Sequence, residues 1–596
     1  MAEDQIVKKG ASKDRLKTDL NIQRDDPMGD SSSVNSLGRR EFISNVGIMT
    51  TATLAASVIG MSSISGTLID GAEAAEVGPL NSVQRRRQAF RVRRRAALFQ
   101  KKLPLPDHPC NGDEALYPNK IGNYTKGLPH NSLGEVDVHA YDALLNALSS
   151  GNPNDFESVP ISGDIKLKNP QSGLGFELIG ADSHHLGMPP APSFDSAEEA
   201  AEIAELYWMA LARDVHFSDY ETNQLTNDAA DDLTTFSDFK GPKVSARVTT
   251  GTLFRADIPG VLVGPFLSQF LLKTIPAGPM VLEPRIRTLL PVDYIVSYDE
   301  WLSVQNGLLP ANALSSDVYD PIHRFLRNGR DLAENQHWDW PAQAAVNALL
   351  IVFGLEGKSP AEIFLANIGV PYNSGNPYLA SPTQAGFVTF HIVDIVRRVV
   401  EAMNSALKAA WYQKWFVHRR LRPEAFGGRI HNDLMGVADY PINENILNSP
   451  VLDVVFDANG SFLLPQAFPE GAPCHPAYPS GHATWAGAAI TVLKAFFDGS
   501  TIIPDPLVVS ADGLSLIPYT GPGFDQLTIG GELNKLAWNI AMGRNFAGIH
   551  WRTDAMEGLK LGEAVAIRLM QDLSSTYSEE FGGFTFTNFD GTTVTV

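Results

Sequence analysis

Three short segments in the last third of the chain, each at the edge of a helical pattern, most constrain what it can fold into. They are Lys414 to Pro423 (KWFVHRRLRP), Pro479 to His482 (PSGH) and Arg544 to Asp554 (RNFAGIHWRTD). Among their residues are Lys414, Arg422, Arg544, Ser480, Gly481, His482 and His550. A fold that draws these helix ends to one point builds a cage for a tetrahedral, multiply charged oxyanion. Lysine and arginine bring charge and forked donors. Ser480 and the backbone N–H of Gly481 can donate at a helix mouth, where orphan N–H groups and the helix dipole favour an anion. One histidine can bond the central atom while the other moves a proton. Singly, each segment has an ordinary explanation: an arginine-rich helix end is usually a solvated face, and PSGH a turn opening a helix. All three in this order are what a shared site requires.

The surrounding pattern is helical. Ser196 and Glu199 form a capping-box signature before a run in which Ile203, Leu206, Tyr207, Ala210 and Leu211 trace one stripe. Residues 341–354 are apolar enough for a buried helix. Residues 384–421 can form one long helix or two, with Lys414 about two turns from the end and Pro423 discouraging helix at Arg422. Ser480 opens a helix through Phe496, 531–544 forms another, His550 lies in a short connection, and Asp554 begins a helix through Leu569. Segment 423–479, with eight prolines, reads as a long loop that covers or shapes a site. Strand alternation is sparse. The expected fold is all-α: two packed helical bundles with long wrapping loops and minor hairpins. A loop-rich wrapping segment covers 75–190, the first bundle 191–370, and the second, with the cage, 371–596.

The first residues read as an address. Residues 1–38 are charged and disordered in composition. Ser36 to Ile43 (SLGRREFI) resembles a twin-arginine export motif, a mildly apolar run follows from Val46 to Ile64, and Ala72-Glu73-Ala74 matches a cleavage pattern. Residues 39–74 are therefore expected to direct export to the periplasm or the cell exterior. The apolar run is too polar to span a bilayer well, and no other segment reads as a membrane span. A formal charge of −20 disfavours nucleic acid as a partner. Residues 81–102 depart from it: they carry nine Lys and Arg and read as a helix packed on an acidic surface of this chain or of a neighbouring subunit. Two cysteines, Cys110 and Cys474, exclude a cysteine zinc cluster and allow at most one disulfide.

The order and spacing of the three segments resemble the superfamily of vanadium-dependent haloperoxidases and type 2 phosphatidic acid phosphatase-like acid phosphatases. The haloperoxidase likeness is the closer. Seven residues separate Lys414 from Arg422, as in the algal-type bromoperoxidases; one fewer is typical of the acid phosphatases and fungal-type chloroperoxidases. His475, seven residues before His482, stands where chloroperoxidases tend to carry an aromatic side chain. DHPCNGDEALYPNKIGNYTKGLPHN (107–131) and RFLRNGRDLAE (324–334) extend the similarity upstream.

The resemblance implies one vanadate per subunit, coordinated by His550. Asp554 would orient that imidazole, or be an ordinary helix-start aspartate. Lys414, Arg422, Arg544, Ser480 and Gly481 would bind the remaining oxygens, with Lys414 also polarising the reacting oxygen. His482 would be the general acid and base. His475 would tune halide choice or serve structure, and His418 would pack behind the cage. Asp331 and Asp339 are candidates to pair with a cage arginine or to hold a structural cation such as calcium. The implied reaction oxidises bromide or iodide with hydrogen peroxide to a hypohalous-acid equivalent that halogenates small organic acceptors. The implied assembly is a homo-oligomer. The alternative within the superfamily is an acid phosphatase using His550 as nucleophile through a phosphohistidine.

Overall fold

Helices carry the architecture, as the periodicity predicts. The longer ones are α1 (Ser82–Lys102), α2 (Val138–Ser150), α3 (Ala197–Leu211), α4 (Gln224–Thr235), α5 (Gln343–Gly354), α6 (Ile392–Tyr412), α7 (Pro423–Leu434), α8 (Pro450–Asn459), α9 (Gly481–Phe496), α10 (Ile529–Phe546) and α11 (Arg552–Ser574). Among the described residues the sheets are four antiparallel two-stranded ribbons. The computed structural model describes residues 81–315, 318–355, 357–358, 361–363 and 368–596, so the export-signal reading lies outside the described residues. No helix among those described is long and apolar enough to cross a membrane.

The fold is organised around α9, which is buried along its whole length except at His482. It packs against α6, α10 and α11. Helix α6 offers it a helical stripe of Ile395, Val399, Ala402, Ala406 and Ala410, all buried. The seam with α11 is made of glycines. A methyl group at Gly562 would lie 2.0 Å from the Thr484 carbonyl oxygen, and one at Gly487 would lie 2.3 Å from that of Leu559. The two backbones are therefore in direct contact, and the helix starts meet: the Ser480 N–H donates to the Asp554 carbonyl at 2.9 Å.

Two expectations need correction. Segment 423–479 is not one loop, because it contains α7, a short helix at Glu444–Leu447 and α8. Pro423 and Pro450 occupy first-turn positions, where a missing N–H costs no hydrogen bond. Pro423 does keep Arg422 extended, at φ −83° and ψ 149°, but it does so by opening α7. Of the wrapping segment 75–190, residues 81–190 are described; they hold the helix expected at 81–102 as α1, add α2, and otherwise run mostly as extended chain and turns. The capping box at Ser196 is half formed: its Oγ accepts the Glu199 N–H at 3.1 Å, while the Glu199 carboxylate turns inward to Arg420. The long 384–421 pattern resolves into α6 and then a π-helical turn, Gln413–His418, ended by Arg419 in the left-handed region at φ 42°. Cys110 is exposed and Cys474 buried, and both are free thiols.

Candidate active site

Lys414 projects from the π-helical turn, a wider turn than an α-helix makes. Its Nζ, fully buried, donates to the carbonyls of Pro476 at 2.7 Å and Ala477 at 2.8 Å. Arg422 comes from the extended residue just beyond. Its Nη1 donates to the Ile549 carbonyl at 2.8 Å and to His550 Nε2 at 3.0 Å. Its Nη2 donates to His475 Nδ1 at 2.9 Å and to the His475 carbonyl at 2.8 Å. Arg544, in the last turn of α10, donates from Nη1 to the Gln336 carbonyl at 2.5 Å. Its Nε is buried without a hydrogen-bond partner among the described residues. Ser480 caps α9, its Oγ accepting the Ala483 N–H at 3.3 Å, and Gly481 begins the helix beneath the Trp411 ring.

His550 is held from behind. Its Nδ1 lies 2.7 Å from Asp554 Oδ2, which also accepts the Trp551 N–H at 3.1 Å. Asp554 thus does both things considered for it, capping the first turn of α11 and orienting the imidazole. With Nδ1–H directed at the carboxylate, the lone pair is on Nε2, where Arg422 donates to it. Burial, and then the charges of Arg422, Lys414 and Arg544, hold His550 well below the ordinary 6.5. It is a neutral imidazole whose Nε2 lone pair faces the Arg422 guanidinium.

His482 is set differently. Its Nε2 lies 3.1 Å from Asp339 Oδ1, and the side chain is 23 % exposed. Burial pushes the Asp339 carboxyl up, but the neighbouring His482 and Arg544 outweigh it and hold the group below its ordinary value. A carboxylate there accepts the Nε2–H and leaves Nδ1 to take up a proton. Burial and Arg544 lower His482, and Asp339 opposes them. His475 is buried against Trp411, ring centroids 4.9 Å apart, and burial with Arg422 and Lys414 keeps it neutral.

The cage is short of negative charge. Burial pushes both Arg422 and Arg544 down to about 10. Burial, then Arg422, pushes Lys414 well below 10.5, with Asp554 opposing. Three crowded cations, an unpartnered guanidinium Nε and an imidazole lone pair fit a multiply charged oxyanion that also accepts a nitrogen ligand, which is the chemistry of vanadate.

Sequence reasoning missed the support behind Asp554. Arg420 Nη1 donates to Asp554 Oδ1 at 2.9 Å and to Thr553 Oγ1 at 2.7 Å, while its Nη2 donates to Glu202 at 2.9 Å and to Glu199. Glu202 also accepts the Thr553 N–H at 2.6 Å, and Glu205 accepts Arg552 Nε at 2.8 Å. Helix α3 therefore turns three buried glutamates toward the start of α11. The signal was available, since Glu199 and Glu202 fall on the same helical face as Ile203 and Leu206. Trp411 was also missed; the Lys414 Nζ lies 5.9 Å from its ring centroid.

Neither proposed acidic partner bonds a cage arginine. Asp339 bonds His482, and Asp331 takes Arg327 Nε at 2.8 Å. Among the described residues no group of three or more His, Cys, Asp or Glu could hold a metal cation. His418 packs edge-on to Tyr478, centroids 4.7 Å apart.

Fold and cage together define a class: helical-bundle enzymes that grip a tetrahedral oxyanion for chemistry, haloperoxidases and acid phosphatases alike. Comparison with known proteins narrows it. The family model for the VCPO second helical-bundle domain matches residues 396–579. The vanadium-dependent bromoperoxidase of Ascophyllum nodosum is 38 % identical over 505 residues, covering 81 % of this chain and 86 % of that protein. That of Corallina pilulifera is 34 % identical over 614 residues, covering 87 % of this chain and 100 % of the relative. The homohexameric structure of the second vanadate-dependent bromoperoxidase from Ascophyllum nodosum superposes with a TM-score of 0.80 at 33 % identity, covering 92 % of this chain and 95 % of that one. The chain belongs to the vanadium-dependent bromoperoxidase family.

Proposed function

We propose that this protein uses hydrogen peroxide to oxidise bromide and iodide at one vanadate per subunit, releasing a hypohalous-acid equivalent that halogenates small organic acceptors. The observation that carries the reading is the neutral His550, its Nε2 lone pair aimed into a cage of Lys414, Arg422 and Arg544. Bound vanadate supplies a Lewis-acidic centre that activates peroxide. His550 would hold it through Nε2, and Asp554 keeps the ring in the one tautomer that could do so. Lys414, Arg422 and Arg544 balance the oxyanion's charge, with Ser480 and the Gly481 N–H completing the donor set. His482 accepts a proton from incoming peroxide at Nδ1 and returns it, while Asp339 steadies the ring from the other side. Lys414 would lend its charge to the activated peroxide and make it more electrophilic toward halide. His475 brings a polar ring beside Arg422 where an aromatic side chain would make the pocket drier, which weakens polarisation and favours the more easily oxidised halides.

The remaining readings are also proposals. Residues 39–74 direct export by a twin-arginine route. The second bundle spans 371–596, as the family match over 396–579 supports, and the first spans 191–370. The chain works as a homo-oligomer, as its hexameric structural neighbour does.

The test is metal analysis with halide oxidation assays on metal-free protein, with and without orthovanadate. Bromide and iodide turnover should appear on adding orthovanadate, chloride should be poor, and excess phosphate should compete because one cage is sized for both anions. Strong phosphatase turnover without vanadate, or reconstitution indifferent to phosphate, would overturn the reading.

A further inference from the structure

Helix α1 is left without a role by the reading above. Its 21 residues include no buried side chain, yet its ends are well made: Asn81 caps it, the Gln84 side chain returns to the Asn81 N–H, and Lys101 and Lys102 lie in the last turn. It carries nine Lys and Arg and no Asp or Glu. Among the described residues none of these cations is in an ion pair, and the helix is tied to the body by Gln100 Nε2 donating to Asp572 Oδ2 at 3.1 Å.

The two faces of α1 differ. Ala89, Val92, Ala96 and Phe99 share a side that is half-buried. Arg87, Phe90, Arg91, Arg94 and Leu98 share the opposite side, with Phe90 65 % and Leu98 41 % exposed. Cations stacked at helical spacing repel one another and weaken a helix standing alone. Most helix stability in proteins comes from packing an amphipathic face, and among the described residues this face has nothing against it. The chain's formal charge of −20 includes these nine cations, so the rest of it stands at −29. A partner of net negative charge is what the open face of α1 complements, and another copy of this chain, acidic outside α1, is such a partner at equal concentration.

We infer that α1 is an arm whose open face, centred on Arg87, Phe90, Arg91 and Arg94, docks on the acidic surface of a neighbouring copy of this chain. The inference rests on the homo-oligomer reading. Its test compares the wild-type full chain with the combined Arg87→Glu, Arg91→Glu and Arg94→Glu variant by sedimentation across a salt series. The variant should assemble at least about tenfold more weakly, and an Arg-to-Lys triple variant should assemble like wild type. Vanadate-dependent bromination per chain should be unchanged in both, which separates lost docking from lost folding of the body. Zero-length carbodiimide cross-linking of mixed ¹⁴N and ¹⁵N wild-type chains should join Lys101 or Lys102 to carboxylates of the other isotope. A wild type that is monomeric at low salt overturns the oligomer reading and the arm with it. Assembly unchanged in the charge-reversed variant, or cross-links confined to one chain, overturns the arm alone. The same holds if the variant instead loses affinity for nucleic acid or anionic vesicles.

Discussion

At the scale of single residues, the two cage histidines differ through what stands behind them. His550 backs onto Asp554 and is locked into one tautomer; His482 backs onto Asp339 and keeps contact with solvent. His550→Ala should therefore abolish tight vanadate retention, whereas His482→Ala should retain more vanadate and lose turnover. Equilibrium dialysis with bromination rates checks this, and equal retention in the two variants would contradict it. Arg420 gives a sharper case. Arg420→Met would leave Glu199, Glu202 and Asp554 buried without their shared cation. It should cost about 3–5 kcal/mol in urea unfolding and raise the vanadate dissociation constant about tenfold or more through the loosened Asp554. The cage residues could be read from sequence because each lies in a short motif whose neighbours share its task. Asp339 and Arg420 could not be read so fully, because their roles depend on partners 143 and 134 positions away.

Among the elements, the α9–α11 seam sets the cage dimensions. It fixes Ser480 and His482, at the start of one helix, against His550 and Asp554, at the start of the other. Gly562→Ala would push a methyl group into the Thr484 carbonyl and force the helices apart. It should destabilise by about 1–3 kcal/mol and weaken vanadate binding although Gly562 is three turns from the cage, roughly, by helical geometry. Urea unfolding and vanadate titration measure both effects, and a variant with lowered stability but unchanged affinity would show that the seam does not control the cage. Helix existence was legible where apolar periodicity was sustained, as in α6 and α9. It was not legible in α7 and α8, where proline is a loop signal by composition but a helix opener at the first turn. The π-helical turn at Lys414 left no signal in hydrophobic pattern, since it shifts the register by only part of a turn.

For the whole molecule, buried histidines weaken the metal-free protein as pH falls. His550, His475 and His482 are all lowered from 6.5 by burial, and His130 and His418 are pushed down to about 3. Below 6.5 the unfolded chain binds protons that the folded chain refuses. Their contribution to stability is therefore present above 6.5 and is lost as pH falls toward the folded-state values, by up to about 1.4 kcal/mol per pH unit for each group. His337, raised by Glu334 and Glu470 against the cost of burial, works the other way: its contribution is present below 6.5 and lost as pH rises through its folded value. The lowered group outnumbers it. The urea midpoint of metal-free protein should fall steadily from about pH 7 to about pH 5, and a flat profile would contradict the neutral-histidine cage. The all-α class was legible from the sparse strand alternation, but the joining of α3 to α11 was not. The Glu202 contact with Thr553 spans 351 positions, which no local pattern reports. That span also gives the site a place in time. A chain still being synthesised has its glutamate shelf long before it has His550, and the shelf has nothing to hold until the last helices arrive. The capacity to make a corrosive oxidant is thus withheld from every unfinished copy and conferred only on complete ones.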